Sequence, residues 1–430
     1  MNTAKFPLML CLCLVAFLEA LGVARAENWP QWRGPRHDGI SREMGVPFKW
    51  SKTENVLWRT PLPGPGGATP VIWDDRIFVT SAKGEELLLL CLDTAGKLLW
   101  ENVMAQGNKD VRGDEGNSAS PSPATDGRHV WALMATGELG CYDFHGREAW
   151  KFNLQDRYGK FSIAFGMTST PLLDGDRLYL QLIHGEGKPA TREAMVVALD
   201  KSTGQEIWKQ PRPSDARDEC EHSYASPTLY RDGQREFLIS HGADYTVAHR
   251  LTDGSEIWRC GGLNPKSNYN PTLRFVASPL AVAGLIVVPS AKNGPVLGLD
   301  PAAQGDITES TSAHLWTRAK DTPDVPSPLV HEGLLYLCKE NGNLICMDAK
   351  TGQEIYLQPT HRQRHRASPT YADGKIYCTA RDGTTTVVKA GREFEVLATN
   401  TLGESISATP VFYQGRMYLR SYDALYAIGK

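Results

Sequence analysis

The chain has 430 residues, a formal net charge of −3, 41% hydrophobic and 22% charged residues. This composition is that of a globular protein, and the slightly acidic balance excludes nucleic acid as the main partner, because such proteins carry a basic face. Average domain size would suggest two or three domains, but closed all-β repeats run long as one unit.

The first 26 residues read as a cleavable export signal. Lys5 supplies the positive start, residues 6–18 an apolar run of 13, and Ala24-Arg25-Ala26 a small-x-small cleavage site. The competing reading, an uncleaved anchor, needs a longer run to span a membrane as a helix. Cys11 and Cys13 lack the small residues of a lipoprotein cleavage site. The mature protein is therefore expected from near Glu27, exported to the periplasm or beyond, with no membrane span. Residues 27–54 read as an extension ahead of a repeat domain at 55–430.

A short segment, Asn55-Val56-Leu57-Trp58-Arg59-Thr60, then resembles a final strand without its own unit. After it, a Ser-Pro or Thr-Pro step recurs before each strand-like run. The copies are Thr69-Pro70, Ser120-Pro121, Thr170-Pro171, Ser226-Pro227, Ser278-Pro279, Ser327-Pro328, Ser368-Pro369 and Thr409-Pro410, spaced by 51, 50, 56, 52, 49, 41 and 41 residues. A step of this size marks a repeat architecture.

The sixth unit shows the pattern most plainly. Strands are predicted at 328–331, 334–339, 344–348 and 354–358, separated by Glu332-Gly333, Asn341-Gly342 and Thr351-Gly352. Asn-Gly between apolar runs is the strong short hairpin signal, with both central residues at positive φ. Four short antiparallel strands per unit make a β-propeller blade.

The third turn and fourth strand repeat as LDTAGKLLW ending at Trp100, YDFHGREAW at Trp150, LDKSTGQEIW at Trp208 and LTDGSEIW at Trp258. A longer version ends at Trp316, the sixth unit carries Tyr356 in that place, and the seventh has no aromatic. Asp and Gly make the turn, and the indole can bury its face against the next blade while donating its N–H. The eighth unit ends after three strands, so residues 55–60 are expected to complete it and close an eight-bladed, all-β wheel without a free edge.

Seven cysteines follow the signal: Cys91, Cys141, Cys220, Cys260, Cys338, Cys346 and Cys378. An odd number leaves at least one thiol unpaired. Five lie in strand-like runs and read as small apolar core residues. Cys220 and Cys260, in or beside loops on one predicted face, are the pair considered for a disulfide.

The small-[Ser/Thr]-Pro start, the Asp-x-x-x-Gly turn and the trailing Trp together resemble the pyrroloquinoline-quinone (PQQ) type propeller repeat over residues 55–430. ENWPQWRGPRHDGIS, residues 27–41, is similar to an exported bacterial subfamily of PQQ-like repeat proteins. The resemblance implies two branches. Quinoprotein alcohol dehydrogenases use adjacent cysteines over the quinone, Ca²⁺ held by Glu, Asn and Asp, and an Asp base. The other branch is the non-catalytic propeller lipoprotein of the outer-membrane β-barrel assembly machinery. This sequence has no Cys-Cys pair, no Cys-x-x-Cys-His haem site and no lipid-attachment cysteine.

Function must sit in loops rather than in the wheel itself. The loops at 105–118, 155–168, 211–224 and 261–276 are long enough to suggest function. They carry Asn117, Phe165, Met167, Glu221, His222, Tyr224, Tyr269, Asn270 and Arg274, several of them just before the Ser-Pro step, where the innermost strand begins beside the channel mouth. Near the end of strand two stand Lys83, His184, His241, Lys292, Lys339, Arg381 and Arg420. Pointing at the axis, these would form a cationic ring favouring an anionic ligand; the plain alternative is solvated hairpin ends.

Asp218-Glu219-Cys220-Glu221-His222 matches no zinc spacing, and the basic run His361, Arg362, Arg364, His365 and Arg366 reads as a solvated loop or an anion contact. No nucleophile–base arrangement or phosphate-cradling loop is supported. The expectation is a monomeric scaffold that binds a protein or small anionic ligand on its loop-rich face without a cofactor. The alternatives are a PQQ- and calcium-dependent oxidoreductase and a binder of anionic polysaccharide.

Overall fold

The computed structural model describes residues 26–111, 116–184 and 193–430. The export-signal reading lies outside these residues apart from Ala26. No helix among them is long and apolar enough to cross a membrane. Eight antiparallel sheets follow one another around the chain. Their residues are 71–106, 124–153, 172–211, 228–260, 280–318, 329–359, 370–401, and 411–428 completed by 56–61, here blades 1 to 8.

Closure is as expected: the N-terminal strand Val56–Pro61 pairs antiparallel with Ala424–Ile428. The sixth blade has Leu329–His331, Leu334–Cys338, Asn343–Asp348 and Glu354–Pro359, each boundary within one residue of the sequence reading. The turn chemistry differs from that reading. At Asn341-Gly342 only Gly342 has positive φ, at 83°, whereas Glu332-Gly333 holds both residues positive, at 47° and 75°. The mirror-image hairpin turn therefore joins strands one and two, and Gly342 serves as the left-handed residue after an ordinary turn.

The core lies between neighbouring blades. Ile239, Ala248 and Trp258 of blade 4 pack on Ile286, Val288 and Leu299 of blade 5, all buried. The repeated Trp and Gly meet across these junctions. A methyl group built on Gly254 would lie 2.5 Å from the Trp208 ring, and one on Gly96 would lie 2.7 Å from Trp58. Gly254 has φ 73°, so the turn and the indole both demand glycine there. The indole N–H groups donate to the next blade's turn: Trp58 to Thr94 O at 3.1 Å, Trp100 to Phe144 O at 3.0 Å, Trp208 to Leu251 O at 2.9 Å and Trp316 to Ala349 O at 2.9 Å.

Three junctions depart from this rule, one of them at blade 6, where Tyr356 stands in the indole's place and packs on Phe394 of blade 7 with ring centres 5.5 Å apart. Blade 5 inserts Gly305–Asp306, which pairs parallel with Trp258 and Arg259 as a fifth strand on blade 4, and the Trp258 indole N–H has no partner among the described residues. Blade 7 lacks the aromatic, and Trp50 from the N-terminal extension supplies one. It is 4% exposed, and its amide donates to Asn400 Oδ1 at 3.1 Å on the fourth strand of blade 7.

All seven cysteines after residue 26 are free and buried. Cys220 and Cys260 do not pair. The Cys220 thiol instead donates to Asn270 O at 3.3 Å, and Cys260 Sγ lies 3.6 Å from His314 Nε2.

Two measurements check this packing. Trp208→Ala is expected to lower unfolding free energy by about 3–5 kcal/mol, read by denaturant unfolding. Trp208→Phe should cost about 1 kcal/mol more than Trp258→Phe, because only Trp208 loses an indole hydrogen bond. Thiol titration of a chain beginning at Glu27 should find seven reactive thiols after denaturation without reductant; a deficit of two would restore a disulfide.

Candidate functional site

The inner strands converge on a hydrogen-bonded circuit. Thr69 N donates to Ser122 Oγ at 3.0 Å, Ser122 N to Thr170 Oγ1 at 3.4 Å, and Thr170 N to Ser226 Oγ at 2.9 Å. Ser226 N donates to Ser278 Oγ at 2.8 Å, Ser278 N to Ser327 Oγ at 3.0 Å, and Ser327 N to Ser368 Oγ at 3.0 Å. Ser368 N donates to Thr409 Oγ1 at 3.3 Å, and Thr409 N returns to Thr69 Oγ1 at 3.1 Å. The following Pro keeps each of these residues extended and has no N–H of its own to satisfy.

One register reading is corrected here: in blade 2 the circuit uses Ser122-Pro123, not Ser120-Pro121. Both steps occur in Ser120-Pro121-Ser122-Pro123, and pairing of Ala124 with Trp131 selects the second.

The circuit lines a central cavity of about 200 Å³. Its floor is Trp32, from the N-terminal extension. That extension lies on the face opposite the inter-blade loops: Asp74 N donates to Asn28 Oδ1, Gly45 N to Asp373 Oδ2 and Gly415 N to Glu43 Oε2, all at strand one–two turns. Gln31 and Arg33 anchor it to the inner strands, donating to Leu173 O at 3.1 Å and Pro328 O at 2.5 Å. The mouth carries Phe165, Tyr224, Arg274, Asp324 and Arg366. Arg274 pairs with Glu219 at 2.8 Å and sits 4.6 Å from the centre of the Phe165 ring. Burial, then Glu340, raises the Asp324 carboxyl.

Of the residues singled out in the sequence, Phe165, Tyr224, Arg274 and Arg366 of the basic run line this cavity. No strand-two end does so, and the cationic ring does not form. His241 is fully buried, stacks on Phe275 with ring centres 4.7 Å apart, and shares a 2.8 Å hydrogen bond with Thr246. Arg420 is buried and donates to Thr80 O in blade 1; burial lowers it to about 9. Gly66 leaves room for that guanidinium, since a methyl there would overlap it.

His184 is buried against Phe161, with ring centres 5.2 Å apart. Lys83 is exposed and 3.7 Å from Glu101. Lys292 pairs with Glu340, and Lys339 with Asp321 at 2.6 Å, in an outer groove. Arg381 is half-buried, and its amide donates to Arg364 O at 2.7 Å.

The loop residues act mainly as braces. Asn117 donates to Pro65 O at 2.9 Å, and Asn270 accepts Thr272 N at 3.0 Å. Glu221 and His222 are buried within or beside the short turn Asp218–Glu221. No group of three or more His, Cys, Asp or Glu side chains that could hold a metal occurs among the described residues. Trp32 and the circuit hydroxyls were not singled out as site residues. The repeated Ser or Thr before Pro was the available signal.

The resemblance implies a quinone held through Ca²⁺. Ca²⁺ takes six to eight oxygens and draws on several carboxylates. Among the described residues the cavity offers one carboxylate, Asp324, facing two guanidiniums. That donor set does not fit a calcium-held quinone.

Burial lowers His37, His184, His249 and His365 to about 4 and His241 to about 3. The unfolded chain takes up these protons near 6.5. Stability is then full above that pH and lost as pH falls toward 4. Denaturant midpoints against pH should show this slope, and His184→Asn should make it shallower.

The family model described as outer membrane protein assembly factor BamB matches residues 86–356 and 305–393. Among solved structures, BamB from Moraxella catarrhalis is 13% identical, covering 86% of this chain and 100% of its own, with a TM-score of 0.62. The quinohemoprotein alcohol dehydrogenase from Comamonas testosteroni is 14% identical, covering 96% and 82%, with a TM-score of 0.67. A europium-containing methanol dehydrogenase is 13% identical, covering 94% and 98%, with a TM-score of 0.70. At these identities the likeness is one of fold. No curated protein matches the chain.

Proposed function

The chain belongs to the outer membrane protein assembly factor BamB family, and from that premise we propose that it is an exported, non-catalytic scaffold whose loop-rich face holds a partner protein. The observation that carries this reading is the bracing of that face. The loops at 211–224 and 261–276 are tied together: Arg217 N donates to the Tyr269 hydroxyl at 2.9 Å, Glu219 N to Pro271 O at 3.1 Å, and Arg274 to Glu219 at 2.8 Å. Such loops are preorganised, so binding a partner costs little ordering entropy.

A second reading, a small anion at the channel mouth, is supported by Arg274 and Arg366 above the circuit of hydroxyls. Each hydroxyl accepts one amide and keeps its own proton to donate. The quinone-dependent oxidoreductase is disfavoured by the donor set of the cavity.

Titration with PQQ and Ca²⁺, followed by Trp fluorescence and dye-linked alcohol oxidation, is expected to show neither saturable binding nor turnover. Saturable binding with turnover would sink the scaffold reading. A photo-crosslinker at exposed Asn270 should capture a partner protein from the exported fraction, while one at Asp75 on the opposite face should not. Equal capture from both faces, or none from Asn270, counts against the loop-rich face.

A further inference from the structure

Between blades 5 and 6, on the loop-rich face, lies a groove of about 700 Å³ outside the central channel. Its walls come from four segments, one of them the loop into blade 6 with Thr322 and Asp324. The second hairpin of blade 5 brings Lys292 and Asn293, that of blade 6 brings Lys339, Glu340 and Asn341, and the loop into blade 7 brings Arg362, Gln363 and Arg364. Four cations thus face two lining carboxylates, Glu340 and Asp324, in a chain whose net charge is −3.

The neutralisation is incomplete. Glu340 is shared between Lys292 and Arg364, the latter at 3.3 Å. Lys339 has Asp321 behind it, which also holds Arg318 at 2.8 Å. Arg362 is exposed and makes no ion pair among the described residues.

The walls are fixed by backbone bonds. His365 is buried, its amide donates to Glu340 O at 2.9 Å, and its Nδ1 lies 2.8 Å from Gln363 O. Thr360 Oγ1 donates to Gly342 O at 2.6 Å. Gly342 is required there, since a methyl would overlap the His361 carbonyl. The basic run is thereby held against the blade 6 hairpin, and its Arg362 and Arg364 line the groove.

We propose that this groove receives an acidic peptide segment of the partner protein, which rests on the scaffold reading for the partner being a protein. Guanidiniums at Arg362 and Arg364 match carboxylates in a two-pronged geometry. Asn293, Asn341 and Gln363 offer paired donors and acceptors of the kind a peptide backbone needs. Glu340 and Asp324 within the walls repel a sulfated polysaccharide, with its higher charge density, more than a run of side-chain carboxylates.

The test uses the mature protein and fluorescein-labelled oligoglutamate, with oligolysine as control and heparin as competitor, read by fluorescence anisotropy. Oligoglutamate should bind saturably and weaken as salt screens the contact. The double variant R362E/R364E should bind roughly tenfold more weakly, about 1.4 kcal/mol. Glu340→Gln should bind more tightly, an outcome that misfolding cannot produce. Unchanged binding in both variants overturns the proposal, as does heparin binding more tightly than the peptide, which would mark a polysaccharide site. If oligoglutamate fails while crosslinking from Asn270 still captures a partner, the groove assignment falls alone. If both fail, the scaffold reading falls with it.

Discussion

Every blade lends the amide of its innermost Ser or Thr to the hydroxyl of the next, and the circuit returns from Thr409 to Thr69. A ring of this kind fixes the radius at which the inner strands can sit. A bond of this sort contributes about 1 kcal/mol net, but a buried amide at the axis left unpaired would cost more than that. The constraint is therefore geometric before it is energetic. With the inner radius fixed, the outer strands splay, and the space between blades must be filled by large side chains.

That space is where the indoles sit. Each repeated Trp reaches forward onto a glycine turn of the next blade and donates its N–H to a carbonyl there. Two of the three exceptions are repaired from elsewhere in the chain. The Gly305–Asp306 strand lies along the edge carrying Trp258, and Trp50 fills the place where blade 7 has no aromatic. The wheel tolerates irregular units because each contacts only its neighbours, so a local substitute is enough.

The closed ring also separates the two faces. The N-terminal extension occupies one, carrying Trp32 to the floor of the channel and Gln31 and Arg33 to the inner strands. The other face bears the long loops, the channel mouth and the groove between blades 5 and 6. Under the proposed scaffold role, a partner bound there would meet surfaces already held in place. Buried arginines such as Arg33 and Arg420 serve this rigidity: they donate to backbone carbonyls of other segments rather than to carboxylates.

The repeat, its count, the closing strand and the role of the indoles were all legible in the sequence. They rest on local signals, Pro after an extended residue, Asp and Gly in a turn, and an aromatic at a fixed distance, that recur every 41 to 56 residues. Among the site residues, Tyr224 and Arg274 were legible as lining the channel mouth, because the loop feeding an inner strand must end there. Tertiary structure alone decided the rest. Ser120 and Ser122 carry the same local signal, and only strand pairing chooses between them. His241, Lys292 and Arg420 hold equivalent places at strand ends, yet one stacks on an aromatic, one enters a groove and one crosses to the next blade. Their directions depend on the blade packed beside them, a neighbour that sequence position alone does not specify.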